Sequence, residues 1–169
     1  MATRKRMLAP NIWQDSGFGL LSQVGKLLWI GCITQADDEG RLTGNPVVLK
    51  GILFPFGDPD LNDVFDGVEE LRQTMKNFIL YEVGGECFIQ LKNWKIHQIL
   101  RADRKADSTF PAPPREALVD KRLSGGCQVG TQVSKEVSKQ GSNDAAIKIL
   151  NHWRTELESK GILTKKKLI

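Results

Sequence analysis

An α+β fold is what this sequence predicts, on three observations. A strongly amphipathic run covers Leu61 to Met75, two β-prone runs flank Gly84-Gly85, and cap-forming residues precede the earlier apolar-periodic segments. Taken in order, Ser22 to Gln35 places Val24, Leu27, Leu28, Gly31 and Cys32 on one helical stripe, with Ser22 as N-cap. The segment ends at Ala36-Asp37-Asp38-Glu39-Gly40, where Gly40 is free to take positive φ, and Arg41-Leu42-Thr43 is short enough for one bridging strand. Asn45 then caps a second helix with Pro46 in its first turn, Val47, Leu49, Ile52 and Leu53 as its apolar positions, and Pro55 as its stop.

After the Gly57-Asp58-Pro59-Asp60 turn comes the clearest helix, with Leu61, Val64, Phe65, Val68, Leu71 and Met75 on one face and Asp63, Asp66, Glu69, Glu70 and Gln73 on the other. Phe78–Val83 and Glu86–Leu91 form a β-hairpin about the two glycines. Helix, short strand, short helix, amphipathic helix, hairpin is the order of a winged helix-turn-helix, with the hairpin as a two-stranded wing. The expected organisation is therefore a winged-helix domain over 1–114 with a Pro-rich exit at its end, a flexible linker over 115–142, and a C-terminal helix with a basic end over 143–169. In the last segment Ile147, Leu150, Trp153 or Arg154, and Leu157 line one side, and Gly161 follows as the C′ residue.

At 169 residues the chain has room for one ordinary domain and an appendage. No apolar run reaches the roughly 20 residues of a membrane span, and Pro10, Trp13 and Asp15 interrupt any signal-peptide core. Cys32, Cys87 and Cys127 are odd in number and widely spaced, as reduced thiols would be, so a cytoplasmic location is expected and no membrane partner. Net charge is +4, yet residues 1–116 carry 14 Lys/Arg against 15 Asp/Glu and 117–169 carry 10 against 5, or −1 and +5. The positive excess lies wholly in the C-terminal third.

Several separated strings then carry a family resemblance: Arg4-Lys5-Arg6-Met7, Pro10-Asn11-Ile12-Trp13, Leu28 to Gly31, Ala36 to Arg41, Leu53-Phe54-Pro55-Phe56, Asn93-Trp94 and His97-Gln98. Over roughly residues 3–114 the chain resembles the N-terminal winged-helix domain of phage and prophage replication proteins, the replisome-organiser or DnaD-like primosomal group. The resemblance implies binding to DNA, duplex or single-stranded, near a phage origin, and recruitment of replication proteins such as a helicase loader. The 55 residues after Pro114 echo the family's C-terminal tails only weakly.

Candidate contacts follow from charge. The third helix of a winged helix commonly enters the major groove, but here its outward face carries Asp63, Asp66, Glu69 and Glu70, with Arg72 and Lys76 as its cations, and Glu82 and Glu86 make the wing tip acidic. That face is better suited to a basic protein partner than to phosphates. Phosphate ligands are expected instead on an N-terminal arm (Arg4, Lys5, Arg6) and after the wing (Lys92, Lys95, Arg101, Arg104, Lys105), with Lys165 to Lys167 adding non-specific affinity. The stripe with Trp153 and Leu157 needs cover, either from the winged helix itself or from residues 143–160 of a second copy.

No catalytic constellation is visible. Asp37-Asp38-Glu39 reads as a helix-ending turn with an ion pair to Arg41 and not as a Mg²⁺ site, and His97 lacks a neighbouring ligand. No phosphate-binding loop or nucleophile elbow occurs. The expectation is a binding protein without enzyme activity, metal or cofactor; a protein-interaction adaptor and a transcription regulator are the competing readings.

Overall fold

Each principal helix begins where a short polar side chain caps it. Ser22 Oγ accepts from Gly25 N at 3.0 Å, Asn45 Oδ1 from Val47 N at 2.9 Å, and Asp60 Oδ1 from Asp63 N at 2.8 Å. Asp63 returns a bond to Asp60 N at 3.3 Å, completing a reciprocal capping box. The computed structural model describes residues 5–99, 103, 105–118 and 141–163. Within them, a 3-10 turn at Pro10–Gln14 leads into α1 (Ser16–Leu20), α2 (Gln23–Gln35), β1 (Arg41–Thr43), α3 (Pro46–Leu53) and α4 (Leu61–Thr74). There follow β2 (Phe78–Val83), β3 (Glu86–Leu91), α5 (Trp94–His97), a 3-10 turn at Arg115–Leu118 and α6 (Gly141–Ser159). The short α1, which the periodicity had not signalled, rests on its own cap, Asp15 Oδ1 accepting from Phe18 N at 2.8 Å.

The strands make one antiparallel sheet in the order β1-β3-β2. Phe78 pairs with Leu91 at the open end of the hairpin and Val83 with Glu86 at its closed end. Gly84 and Gly85 close it with φ of 64° and 85°, the double positive φ of a two-residue turn that follows strand twist. Leu28, Cys32, Leu49, Val64, Val68, Leu71, Leu80 and Ile89 are fully buried between sheet and helices. A Cβ at Gly67 would collide with Leu28, so this glycine sets how closely α4 lies on α2. Two expected core positions lie outside it: Leu27 is 54% exposed and Val47 44%. In α2 the buried face is Gly25, Leu28, Trp29 and Cys32, turned away from Leu27.

α6 closes the core from the far end of the chain. Ala146 and Leu150 are buried in the same cluster as Leu80 and Cys87, with Ile149, Trp153 and Leu157 packed against it, and the Cys87 thiol donates to Ala146 O at 3.5 Å. The apolar stripe of the last helix is thus covered by its own chain. α6 ends with Gly161 N bonded to Glu158 O at 3.1 Å and Ile162 N to Leu157 O at 2.9 Å, the paired bonds of a Schellman cap.

The outer face of the sheet carries the Pro-rich exit. Tyr81 Oη donates to Pro111 O at 2.7 Å, Arg41 Nη1 to Phe110 O at 3.2 Å, and Ala117 is buried on Ile79 and Tyr81. The segment expected to be a flexible linker from 115 onward therefore begins with an ordered turn, and α6 begins at Gly141, ahead of the expected Asn143. Residues 119–140 lie outside the described part.

Candidate nucleic-acid interface

The ten cations nominated from sequence divide into three groups. Arg4, Arg101 and Arg104, together with Lys165 to Lys167, lie outside the described residues. Arg6, Arg72, Lys95 and Lys105 hold carboxylates of their own chain. Lys5, Lys76 and Lys92 hold none among the described residues.

Arg6 departs furthest from expectation. It is no mobile phosphate ligand: Nη2 donates to Asp38 Oδ1 at 3.0 Å and to Ala36 O at 2.7 Å, both side chains of the pair are under 5% exposed, and the guanidinium lies 5.3 Å from the Trp94 ring centroid. Gln98 fastens the next residue, accepting from Met7 N at 3.0 Å and donating to Met7 O at 2.8 Å. The start of the described chain is a fixed strap, because a guanidinium on an indole face and an amide matched to one peptide unit both fix geometry. Asp38 also accepts from Ala106 N at 2.9 Å. Asp37 accepts from Glu39 N and Arg41 N, each at 2.9 Å, and from the Ser108 hydroxyl. Glu39 pairs with Lys105 and, at 3.9 Å, with Lys95. The expected turn is present, but its partners are Arg6, Lys95 and Lys105, and Arg41 turns instead to Gln90 and Phe110. The hydrogen bond that Lys105 donates to Glu39 holds the Glu39 carboxyl below its ordinary pKa and raises that of the Lys105 ammonium.

The acidic helix is likewise engaged. Asp66 pairs with Arg154 of α6 at 2.7 Å, and the Arg154 guanidinium lies 5.1 Å from the Phe65 ring centroid. Glu69 receives Arg72 Nη2 at 2.5 Å and Gln73 Nε2 at 2.7 Å. Burial works against the Glu69 carboxylate, but these bonds outweigh it and hold its pKa below the ordinary value. The bond to Glu69 raises Arg72, and Asp144 of α6 adds to that effect at longer range. Glu70 accepts from Ser22 N at 2.7 Å and Ser22 Oγ at 2.6 Å at the start of α2. Asp63 belongs to the capping box. Asp66, Glu69 and Arg72, one stripe of α4, thus face α6 across a charged seam, with Trp153 and Leu157 on the apolar side of α6.

Two of the remaining cations, Lys76 and Lys92, lie at the open end of the hairpin. Lys92 N donates to Asn77 O at 2.8 Å, which brings Lys76, exposed just before it in sequence, beside Lys92. His97 and Lys92 stand at the edge of a cavity of about 170 Å³ floored by Trp29, Leu91 and Trp94. Sequence reasoning named the lysines but missed the cavity, which is assembled from the strap, α2, the end of α4 and α5.

Cys32 and Cys87 are buried and their thiols are pushed up to about 12 by desolvation, so neither is a nucleophile. Among the described residues no three His, Cys, Asp or Glu side chains group to hold a metal ion, and no helix is long and apolar enough to cross a membrane. Searches against protein-family models, curated proteins and solved structures return no match for this chain.

Proposed function

We propose that this chain is a DNA-binding module of winged-helix architecture, acting in replication initiation or primosome assembly in the manner of phage replisome organisers. The observation that carries the reading is the pair Lys76 and Lys92, unengaged by any carboxylate among the described residues, on an α+β frame whose element order and β1-β3-β2 sheet are compatible with a winged helix. The family resemblance of residues 3–114 supports the same reading. DNA contacts then belong to the base of the wing and not to α4, where Asp66 and Glu69 already hold Arg154 and Arg72 and Asp63 and Glu70 keep the face acidic. The reading calls for no catalytic step.

Anisotropy titration of labelled duplex and single-stranded DNA at two salt concentrations tests it. Affinity should fall with salt, and Lys76→Ala and Lys92→Ala should each reduce the salt slope by about one. Unchanged slopes in both variants would refute this placement, and no affinity at about 50 mM salt would remove the DNA reading.

An adaptor role has one observation in its favour: the acidic stripe of α4 already accepts a basic side chain, Arg154, presented by a helix. A replication partner with a basic amphipathic helix would suit that stripe if it replaced α6. A transcription regulator has no such support.

A further inference from the structure

Beneath the N-terminal strap lies a cavity lined by both aromatic and polar side chains. Its floor is apolar and aromatic: Trp29, Met75, Leu91 and Trp94 are each 7% exposed or less. Its lip is the strap itself, where Met7 and Leu8 are about half exposed and Gln98 holds the Met7 peptide in place. Lys92, His97, Asn11 and Asn77 supply polar groups to the lining. The acid among the lining residues, Asp15, caps α1 through Phe18 N at 2.8 Å.

Size narrows the occupant. An apolar cavity of roughly 150 Å³ holds a benzene ring, whereas drug-sized ligands need about 300 Å³ or more. At about 170 Å³ this one suits a single flat heterocycle. An aromatic floor welcomes a π-face, and Lys92 in the lining suits an anion attached to the ring. Unstacked nucleobases on a phosphate backbone combine both, and single strands present them without the unpairing that a duplex requires.

We propose that this cavity receives one unstacked base of a single-stranded nucleic acid, with the adjoining phosphates crossing Lys92 and Lys76. The inference rests on the DNA-binding reading above and adds to it the strandedness of the target and the position of one nucleotide. A free nucleotide shares the chemistry and is separated by the test.

Four ligands are titrated against the full chain at one salt concentration: a thymidine homo-oligomer, an abasic strand of equal length, a duplex of equal length and thymidine monophosphate. The base-bearing strand should bind about tenfold more tightly than the abasic strand, as one lost stacking contact implies. Leu8→Trp, at the half-exposed lip, and Ile33→Trp, in the wall, should bring the base-bearing strand to the abasic level while leaving the abasic strand unchanged. Equal binding of base-bearing and abasic strands by the unaltered protein would overturn the cavity assignment and leave the DNA reading standing. Failure of all three polymers to bind would overturn both. Tighter binding of the duplex, or monophosphate bound as tightly as the strand, would also overturn the proposal.

Discussion

Arg6–Asp38 and Arg154–Asp66 are two arginine–aspartate pairs of the same chemistry, each with its guanidinium over an aromatic ring, and they differ in solvent. The first pair is 3% and 4% exposed, on Trp94; the second is 35% and 43% exposed, on Phe65. Burial strips water from both charges of the first pair, so removal of one partner strands the other in a medium that solvates it poorly. The second pair keeps much of its water and is screened by salt. The strap is therefore fixed by charge, whereas α6 is held chiefly by Ala146, Leu150 and the half-buried Trp153 and Leu157. Positive residues of similar appearance in the sequence thus do different work, and solvent exposure tells them apart.

The largest effect should come from Arg6→Ala, which takes the buried guanidinium away from the Asp38 carboxylate, Ala36 O and the Trp94 ring. We expect about 3–5 kcal/mol of destabilisation, little changed by salt, read as a fall in the urea midpoint. A loss within about 0.5 kcal/mol, as for an exposed arm residue, would erase the distinction between the two pairs.

Arg154→Ala should cost about 0.5–1 kcal/mol, and the difference should shrink as salt rises from about 0.05 to about 1 M. A loss as large as that of Arg6→Ala would show that charge and not apolar packing docks α6.

The smallest effect concerns acid. The Glu69 carboxyl lies below its ordinary 4.5 in the folded chain, so its contribution is complete above that value and disappears as pH falls through the folded pKa. Urea unfolding from about pH 6 to about pH 3 should therefore be less acid-sensitive in Glu69→Gln than in the parent. Identical acid dependence would remove Glu69 from the seam.

Local signals carried most of the architecture. Ser22, Asn45 and Asp60 each bind the first turn of the helix they precede, Arg41–Thr43 forms the bridging strand, and the hairpin turns on Gly84-Gly85, because caps, periodicity and turn glycines act within a few residues. The charged contacts were not legible. Arg6 meets Asp38 across 32 residues and Arg154 meets Asp66 across 88, and no sequence period encodes which long side chain reaches which carboxylate. For that reason a run of basic residues read as a phosphate-binding arm contains a structural pin. Leu27 was misplaced because the buried face of α2 is set by its fit to α4, where Gly67 admits Leu28. The cavity escaped because four separated segments build it.

The position of β2 bears on how this chain behaves before it is fully folded. β2 is an edge strand reading Phe-Ile-Leu-Tyr-Glu-Val, a run with one charge and no proline, the composition of segments that recruit further strands and aggregate. Its first four residues are nevertheless buried, because Ala117 and the Pro-rich exit shield one face while α6 lies against the other. Ala117 and α6 thus work as gatekeepers of this border, and a fragment ending at Pro114 would leave it sticky, with poor solubility as the result.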